Sequence, residues 1–227
     1  MLRTTKPIFL LVISQMIPKR YSFNSPIIVL ANGDFPYHPV ATHHLKDSGT
    51  IICTDGAADK LIDFGKRPDI VIGDFDSTLI NKKDRTGEWF ETPDQNKTDL
   101  EKTFEWCIVN KAKEITLLGS DGKREDHMIG NLFTLAKYYD DIKCDMITNH
   151  ARIICVSGEN YISSNHNQQI SIIAAEPIDS INLEGLQYTM KDEKLLPSAK
   201  AICNKAIGDQ FYLNATGKVF VFLNHID

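Results

Sequence analysis

The stretch at residues 68–77, Pro-Asp-Ile-Val-Ile-Gly-Asp-Phe-Asp-Ser, constrains the fold more than any other part of the chain. Ile70, Val71 and Ile72 form a short β-branched run without the alternation of a sheet face open to water, so it reads as a strand buried on both faces. Gly73 ends the run, and Asp74 and Asp76 follow with one residue between them. Such an ending sets carboxylates at the carboxyl edge of a sheet, where open α/β folds bind ligands. Two carboxylates this close repel each other unless a cation lies between them, and oxygen donors of this kind suit Mg²⁺. A lone Asp-x-Asp is more often a solvated acidic turn, so the neighbouring segments decide.

Those segments repeat the pattern. Apolar runs at 27–30, 51–53, 115–118 and 144–147 read as further buried strands, with an edge strand at Trp89-Phe90. Helices are expected at 37–46, 57–64, 98–110 and from Arg124 to about Tyr139. Thr98-Asp99-Leu100-Glu101 has the form of a capping box, which gives Asp99 an ordinary reason to sit in a first helical turn. Strands alternating with helices predict a mainly parallel sheet with right-handed crossovers. The pattern changes after residue 149. Short strands at 152–156, 169–174, 180–183, 201–204, 211–214 and 219–223, with no convincing helix, predict a small antiparallel sandwich or barrel. The expected architecture is an α/β catalytic domain over 25–149 followed by an all-β domain over 150–227.

Composition narrows the function classes. The 227 residues carry a formal net charge of −5, which disfavours a nucleic-acid partner. Five cysteines lie far apart with no Cys-x-x-Cys pair, so a zinc site is not expected and reduced thiols in the cytoplasm are. The apolar run at 8–13 is too short to span a membrane and lacks a small-residue cleavage site. We read Met16 as the start of the functional chain rather than part of an export signal.

In the first half nearly every expected strand ends near an aspartate: Asn32-Gly33-Asp34, Asp55-Gly56, Gly73-Asp74-x-Asp76 and Gly119-x-Asp121-Gly122. Asp99 and Asp126 begin helices. If the strands are parallel, these groups share one rim, and that much negative charge calls for Mg²⁺ and a phosphate-bearing ligand. Lys97, Lys123 and Arg124 lie in the same loops and suit phosphate oxygens. Neither a P-loop nor a Gly-x-Gly-x-x-Gly fingerprint is present, so a nucleotide site here is of another kind.

The combination resembles the thiamine pyrophosphokinase family. The resemblance rests on Asp55-Gly56, Gly73-Asp74-Phe75-Asp76-Ser77, the run from Asp94 to Thr98-Asp99, Arg124-Glu125-Asp126-His127 and Gly185-Leu186-Gln187-Tyr188, in order. It implies diphosphate transfer from ATP to the thiamine hydroxyl, with AMP released, by a homodimer whose thiamine site joins both chains. It further implies that Asp74, Asp76 and Asp99 hold Mg²⁺, with Asp126 also catalytic. Asn32, Asp55, Gly56, Lys97, Thr98, Arg124, His127 and Asn131 would bind ATP. Gln95, Tyr188, Ser198 and Asn204 would bind thiamine. Asn96, Lys123 and Cys203 depart from the family pattern. Two other readings compete. Asp74-x-Asp76-x-Thr78 also suits a haloacid dehalogenase-type phosphatase with Asp74 as nucleophile, although here the motif ends the third expected strand and a later lysine and acidic pair are missing. A non-catalytic nucleotide or thiamine binder would not need so many carboxylates.

Overall fold

Six short strands form the parallel part of one mixed sheet. They are β1 (Ile27–Leu30), β2 (Thr50–Thr54), β3 (Ile70–Gly73), β4 (Glu88–Glu91), β5 (Glu114–Leu118) and β6 (Lys143–Ile147). Their order is β6-β5-β1-β2-β3-β4, with every neighbouring pair parallel. This computed structural model describes residues 21–226, so Met16 lies outside the described residues.

Four helices cover the two faces: α1 (Pro39–Lys46), α2 (Ala57–Asp63), α3 (Asp99–Val109) and α4 (Glu125–Lys137). Alternate residues of each strand supply the two cores, as the two-residue period of a strand requires. Ile28, Leu30, Ile51 and Val71 pack with Ala41, Leu45 and Leu61 of α1 and α2. Val29, Ile52, Ile70 and Ile72 pack with Leu100, Phe104 and Leu135 of α3 and α4. The capping box forms: Thr98 Oγ1 accepts from Glu101 N at 3.2 Å, and Glu101 Oε2 accepts from Thr98 N at 3.1 Å.

Connectivity places a switch point within this half. The chain steps from β1 through β2 and β3 to β4, then crosses back to add β5 on the other side of β1. A crevice at the carboxyl end of β1 and β5 follows from that reversal. The two strand ends are tightly zipped there, with Gly33 N donating to Gly119 O at 2.6 Å and Asp34 N to Asp121 O at 2.7 Å. A Cβ at Gly33 would come within 2.2 Å of Asp121 O, so no larger residue fits.

The second half extends the same sheet. It contains β7 (Ala151–Ser163), β8 (Gln169–Ala174), β9 (Ile178–Glu184), β10 (Met190–Leu195), β11 (Asn204–Lys205) and β12 (Gln210–Asn224). β7 pairs antiparallel with β6, so hydrogen bonding continues across the expected boundary. β12 runs alongside nearly all of β7, and its other edge carries β9 at one end and β8 at the other. Ile170, Ile172, Leu183, Leu213 and Val221 belong to the core enclosed there.

Three details correct the sequence reading. The expected strands at 211–214 and 219–223 are one strand, interrupted by a register shift between Ala215 and Val219. The expected strand at 201–204 is mostly turn and contributes only Asn204 to a two-residue strand. β10 was not foreseen because Lys191-Asp192-Glu193-Lys194 is charged throughout, and only Met190 and Leu195 at its ends are buried.

Candidate active site

The parallel register brings the acidic strand ends together. Thr54 at the end of β2 lies opposite Ile72 of β3, so Asp55 falls beside Gly73 and Asp74. Gly73 permits this approach, since a Cβ there would be 2.7 Å from Asp55 Cβ. The outcome is a group of three carboxylates, Asp55, Asp74 and Asp76, each offering an oxygen within 4.8 Å of the others.

Local structure fixes each member. Ser77 N donates to Asp55 Oδ2 at 2.8 Å, and Ser77 Oγ donates to Asp76 Oδ1 at 2.8 Å. Gln95 Nε2 donates to Asp74 Oδ2 at 2.9 Å. Between the two aspartates Phe75 takes a left-handed backbone with φ +66°, which throws its ring away from the carboxylates. That ring packs on Trp89 at 5.1 Å between centroids, and the Arg85 guanidinium lies 4.5 Å from the Phe75 ring and 4.2 Å from the Trp89 ring. The segment after Ser77 is tied to α2, where Asp59 accepts from Thr78 Oγ1 at 2.7 Å and Leu79 N at 2.8 Å.

The electrostatics mark the group as incomplete without a cation. Asp55 is 2% exposed, and its Oδ1 has no hydrogen-bond partner. Burial pushes the Asp55 carboxyl above its usual range; the charges of Asp99, Asp76 and Asp74 add to that, and the Ser77 N–H opposes it. Asp99 is also pushed up, by burial first, against the pull of Lys102, whose Nζ donates to Asp99 Oδ1 at 3.0 Å. Asp74 is held low, chiefly by the Gln95 hydrogen bond. An orphaned buried carboxylate oxygen facing two more carboxylates fits a hard divalent ion with oxygen ligands.

The structure thus groups Asp74 and Asp76 as expected but adds Asp55 in place of Asp99. Asp99 stands close enough to feel all three charges while pairing with Lys102. Thr98 spends its hydroxyl on the helix cap. Lys97 Nζ meets Glu105 Oε1 at 2.6 Å, and Glu105 also accepts from Tyr138 OH at 2.9 Å.

A second group gathers at the β1–β5 crevice. Asn32 Oδ1 accepts from Lys123 Nζ at 3.0 Å, and Asn32 leans over Gly56, where a Cβ would be 2.3 Å from Asn32 Nδ2. Lys60 of α2, which the sequence analysis did not single out, donates from Nζ to Gly33 O. At the start of α4, Arg124 Nε reaches Asp126 Oδ1 at 3.0 Å, and His127 N donates to the same oxygen at 3.0 Å. Asn131 Nδ2 donates to Ser120 O at 2.7 Å.

Two of the residues expected at the thiamine end lie together in the second half. Asn204, 4% exposed, accepts from Tyr188 N at 3.0 Å and donates to Tyr188 O at 2.7 Å. Ser198 Oγ accepts from Lys200 N in the turn before β11. From β3 to β8 the sheet takes seven strand steps, about 34 Å along it at about 4.8 Å each. Within one chain, β11 and the carboxylates therefore stand far apart along the sheet.

The family described as thiamin pyrophosphokinase, catalytic domain, matches residues 41–148. The chain is 27% identical over 158 residues to thiamin pyrophosphokinase 1 of Caenorhabditis elegans, a match covering 62% of this chain and 64% of that protein. It is 26% identical over 212 residues to thiamine pyrophosphokinase of Bacillus subtilis, covering 88% of this chain and 99% of that one. Its fold matches the crystal structure of the Bacillus subtilis protein with a TM-score of 0.75 at 24% identity, over 88% of this chain and 99% of that chain. It matches thiamin pyrophosphokinase from Candida albicans with a TM-score of 0.74 at 18% identity, over 88% and 89%. Motif order, fold and these relatives agree: over residues 41–148 the chain is similar to the thiamin pyrophosphokinase catalytic domain, and its fold is that of the solved thiamin pyrophosphokinases.

Proposed function

We propose that this protein transfers a diphosphate group from ATP to the hydroxyl of thiamine, giving thiamine diphosphate and AMP. The observation that carries the reading is the Asp55–Asp74–Asp76 group with its orphaned buried oxygen. Asp55, Asp74 and Asp76 would hold Mg²⁺, with Asp99 beside them. Bound there, Mg²⁺ neutralises polyphosphate charge and polarises the phosphoryl oxygens.

The chain's own residues do the positioning on which such transfers depend. Gln95 fixes the Asp74 carboxylate, and Ser77 fixes Asp55 and Asp76. Arg124, His127 and Asn131 lie at the β5 end of the rim, on the nucleotide side of the proposed site. The hydroxyl oxygen of thiamine attacks the β-phosphorus and its proton leaves to a base. Asp99 suits that role better than Asp126, because burial raises its pKa while the Arg124 guanidinium lowers that of Asp126.

Residues 25–149 then carry ATP and Mg²⁺, and 150–227 carry thiamine recognition and dimer contacts. The distance along the sheet from the carboxylates to Tyr188 and Asn204 supports a homodimer in which these residues serve the partner's site. Among the described residues no helix is long and apolar enough to cross a membrane; a cytoplasmic location accords with the free cysteines. The test is incubation with thiamine, ATP and Mg²⁺. AMP and thiamine diphosphate appear together in equal amounts; ATP consumption yielding ADP or phosphate without AMP, or a phosphoenzyme on Asp74, refutes the reading.

A further inference from the structure

The crevice beside β1 holds two ammonium groups that are anchored on neutral oxygens. Lys60 extends from α2 to the Gly33 carbonyl, and Lys123 reaches Asn32 Oδ1 at 3.0 Å from the loop after β5. Gly33 and Asn32 are adjacent in the chain, so the two ammonium groups are anchored side by side, and each acts on the other as a neighbouring like charge. Among the described residues neither has an ion-pair partner within 4.0 Å. The charge of Asp34 acts on Lys60 from a distance, and the Asp34 carboxylate is turned against Gly122. Burial first, and then the neighbouring Lys123, push the Lys60 ammonium down to about 8.

Like charges held together without a partner are unfavourable unless an anion joins them. Lys123 adds a second cost, since it sits at φ +56°, a left-handed conformation that L residues avoid. Both features lie at the topological switch point, where α/β sheets take their ligands. The carboxylate group is one side chain away. Asn32 packs over Gly56, whose Cβ position is 3.3 Å from Ser77 Cβ, and Ser77 holds both Asp55 and Asp76. A polyphosphate laid across β1 and β2 therefore meets carboxylates at one end and lysines at the other. The lysines stand on the β5 side, toward Arg124, His127 and Asn131.

We infer that Lys60 and Lys123 form a clamp for the α-phosphate of ATP, the phosphate that departs with AMP. This rests on the diphosphate-transfer reading above. As the thiamine oxygen bonds to the β-phosphorus, the bond from that phosphorus to its α-bridging oxygen breaks. The electron pair stays on the oxygen, so AMP leaves with one more negative charge. Two ammonium groups beside that phosphate hold the charge more strongly in the transition state than in bound ATP, which lowers the barrier.

The test measures AMP binding, Mg²⁺-pyrophosphate binding and turnover in the full chain for Lys60→Met, Lys123→Met and Lys60→Arg, with melting temperature as the folding control. Each methionine variant is expected to weaken AMP about tenfold, as loss of one charge-assisted phosphate contact does. Pyrophosphate binding is expected to stay within about twofold, and kcat to fall more than KM rises. Lys60→Arg, which keeps the charge, is expected to retain most AMP affinity. Unchanged AMP affinity in folded Lys60→Met and Lys123→Met overturns the clamp, as does loss of pyrophosphate binding with AMP retained. Should Lys60→Met not fold, Lys123→Met decides by the same two criteria. Wild-type protein that forms AMP and thiamine diphosphate keeps the diphosphate-transfer reading standing in either case.

Discussion

Replacing Asp55 with asparagine separates the stability of the rim from its function. Asp55 is buried, and its ligand oxygen lies within 4.8 Å of those of Asp74 and Asp76. Two unit charges at that distance repel by about 3.5 kcal/mol at an effective dielectric of about 20, and by about 1 kcal/mol in water. Asp76 is exposed and Asp74 is partly open to solvent, so the lower figure applies to each pair and about 2 kcal/mol is relieved in total. Against this, the Ser77 N–H then meets a neutral carbonyl instead of a carboxylate, which costs about 1 kcal/mol. Metal-free Asp55→Asn should therefore be more stable by about 1 kcal/mol, a rise of about 2–4 °C in melting temperature for a chain of this size. The wild type should gain stability on adding Mg²⁺, and the variant much less, with turnover down by at least about a hundredfold. Thermal melts with and without Mg²⁺, alongside the AMP assay, read all three quantities. A variant less stable than wild type without metal, yet equally stabilised by Mg²⁺, would show that charge repulsion is not what the cation relieves.

Acid should remove the Mg²⁺ stabilisation. Folded-state pKa values raised at Asp55 and Asp99 mean that the metal-free fold loses stability as pH climbs from the unfolded carboxylate value through the raised folded one. The melting shift on adding Mg²⁺ should accordingly be large at neutral pH and shrink as pH falls through that window; a shift independent of pH would contradict it. Asp74→Asn and Asp76→Asn should each abolish turnover with the circular dichroism spectrum unchanged, and near-normal AMP release by both would remove their metal role. Asn204→Ala deletes three hydrogen bonds, to Tyr188 N, Tyr188 O and Lys205 N, from a buried site, and should destabilise by about 2–3 kcal/mol in denaturant titration. Cys203 is exposed while Cys53 and Cys107 are buried with thiol pKa values pushed upward by burial, so a thiol reagent should label Cys203 first and the buried pair only on unfolding.

Local signals made the rim legible. The β-branched runs, the glycine and aspartate at their ends and the Thr98–Glu101 cap are all within a few residues of each other in sequence, and strand alternation needs nothing further. Asp55-Gly56 carried the same strand-end signal, but nothing local set Asp55 with the metal-holding carboxylates rather than with ATP. Its place beside Asp74 depends on the register of β2 against β3, a tertiary property. Lys60 and Lys123 meet across 63 residues of chain, which no local pattern encodes. The second half was read as separate short strands because the register shift between Ala215 and Val219 contains Thr216 and Gly217, residues that ordinarily signal a turn.

The hydrogen-bonded continuity from β6 into β7 and on to β12 limits how the two halves can move against each other. A ladder of this kind has no swivel, so one half cannot bend over the other like a jaw. Gln95 reaches Asp74 from the loop that follows β4, so the carboxylate group is held both by strand ends and by this loop. The carboxylates thus keep their spacing by register and by the Ser77 and Gln95 hydrogen bonds, with no part asked of a movement between the halves.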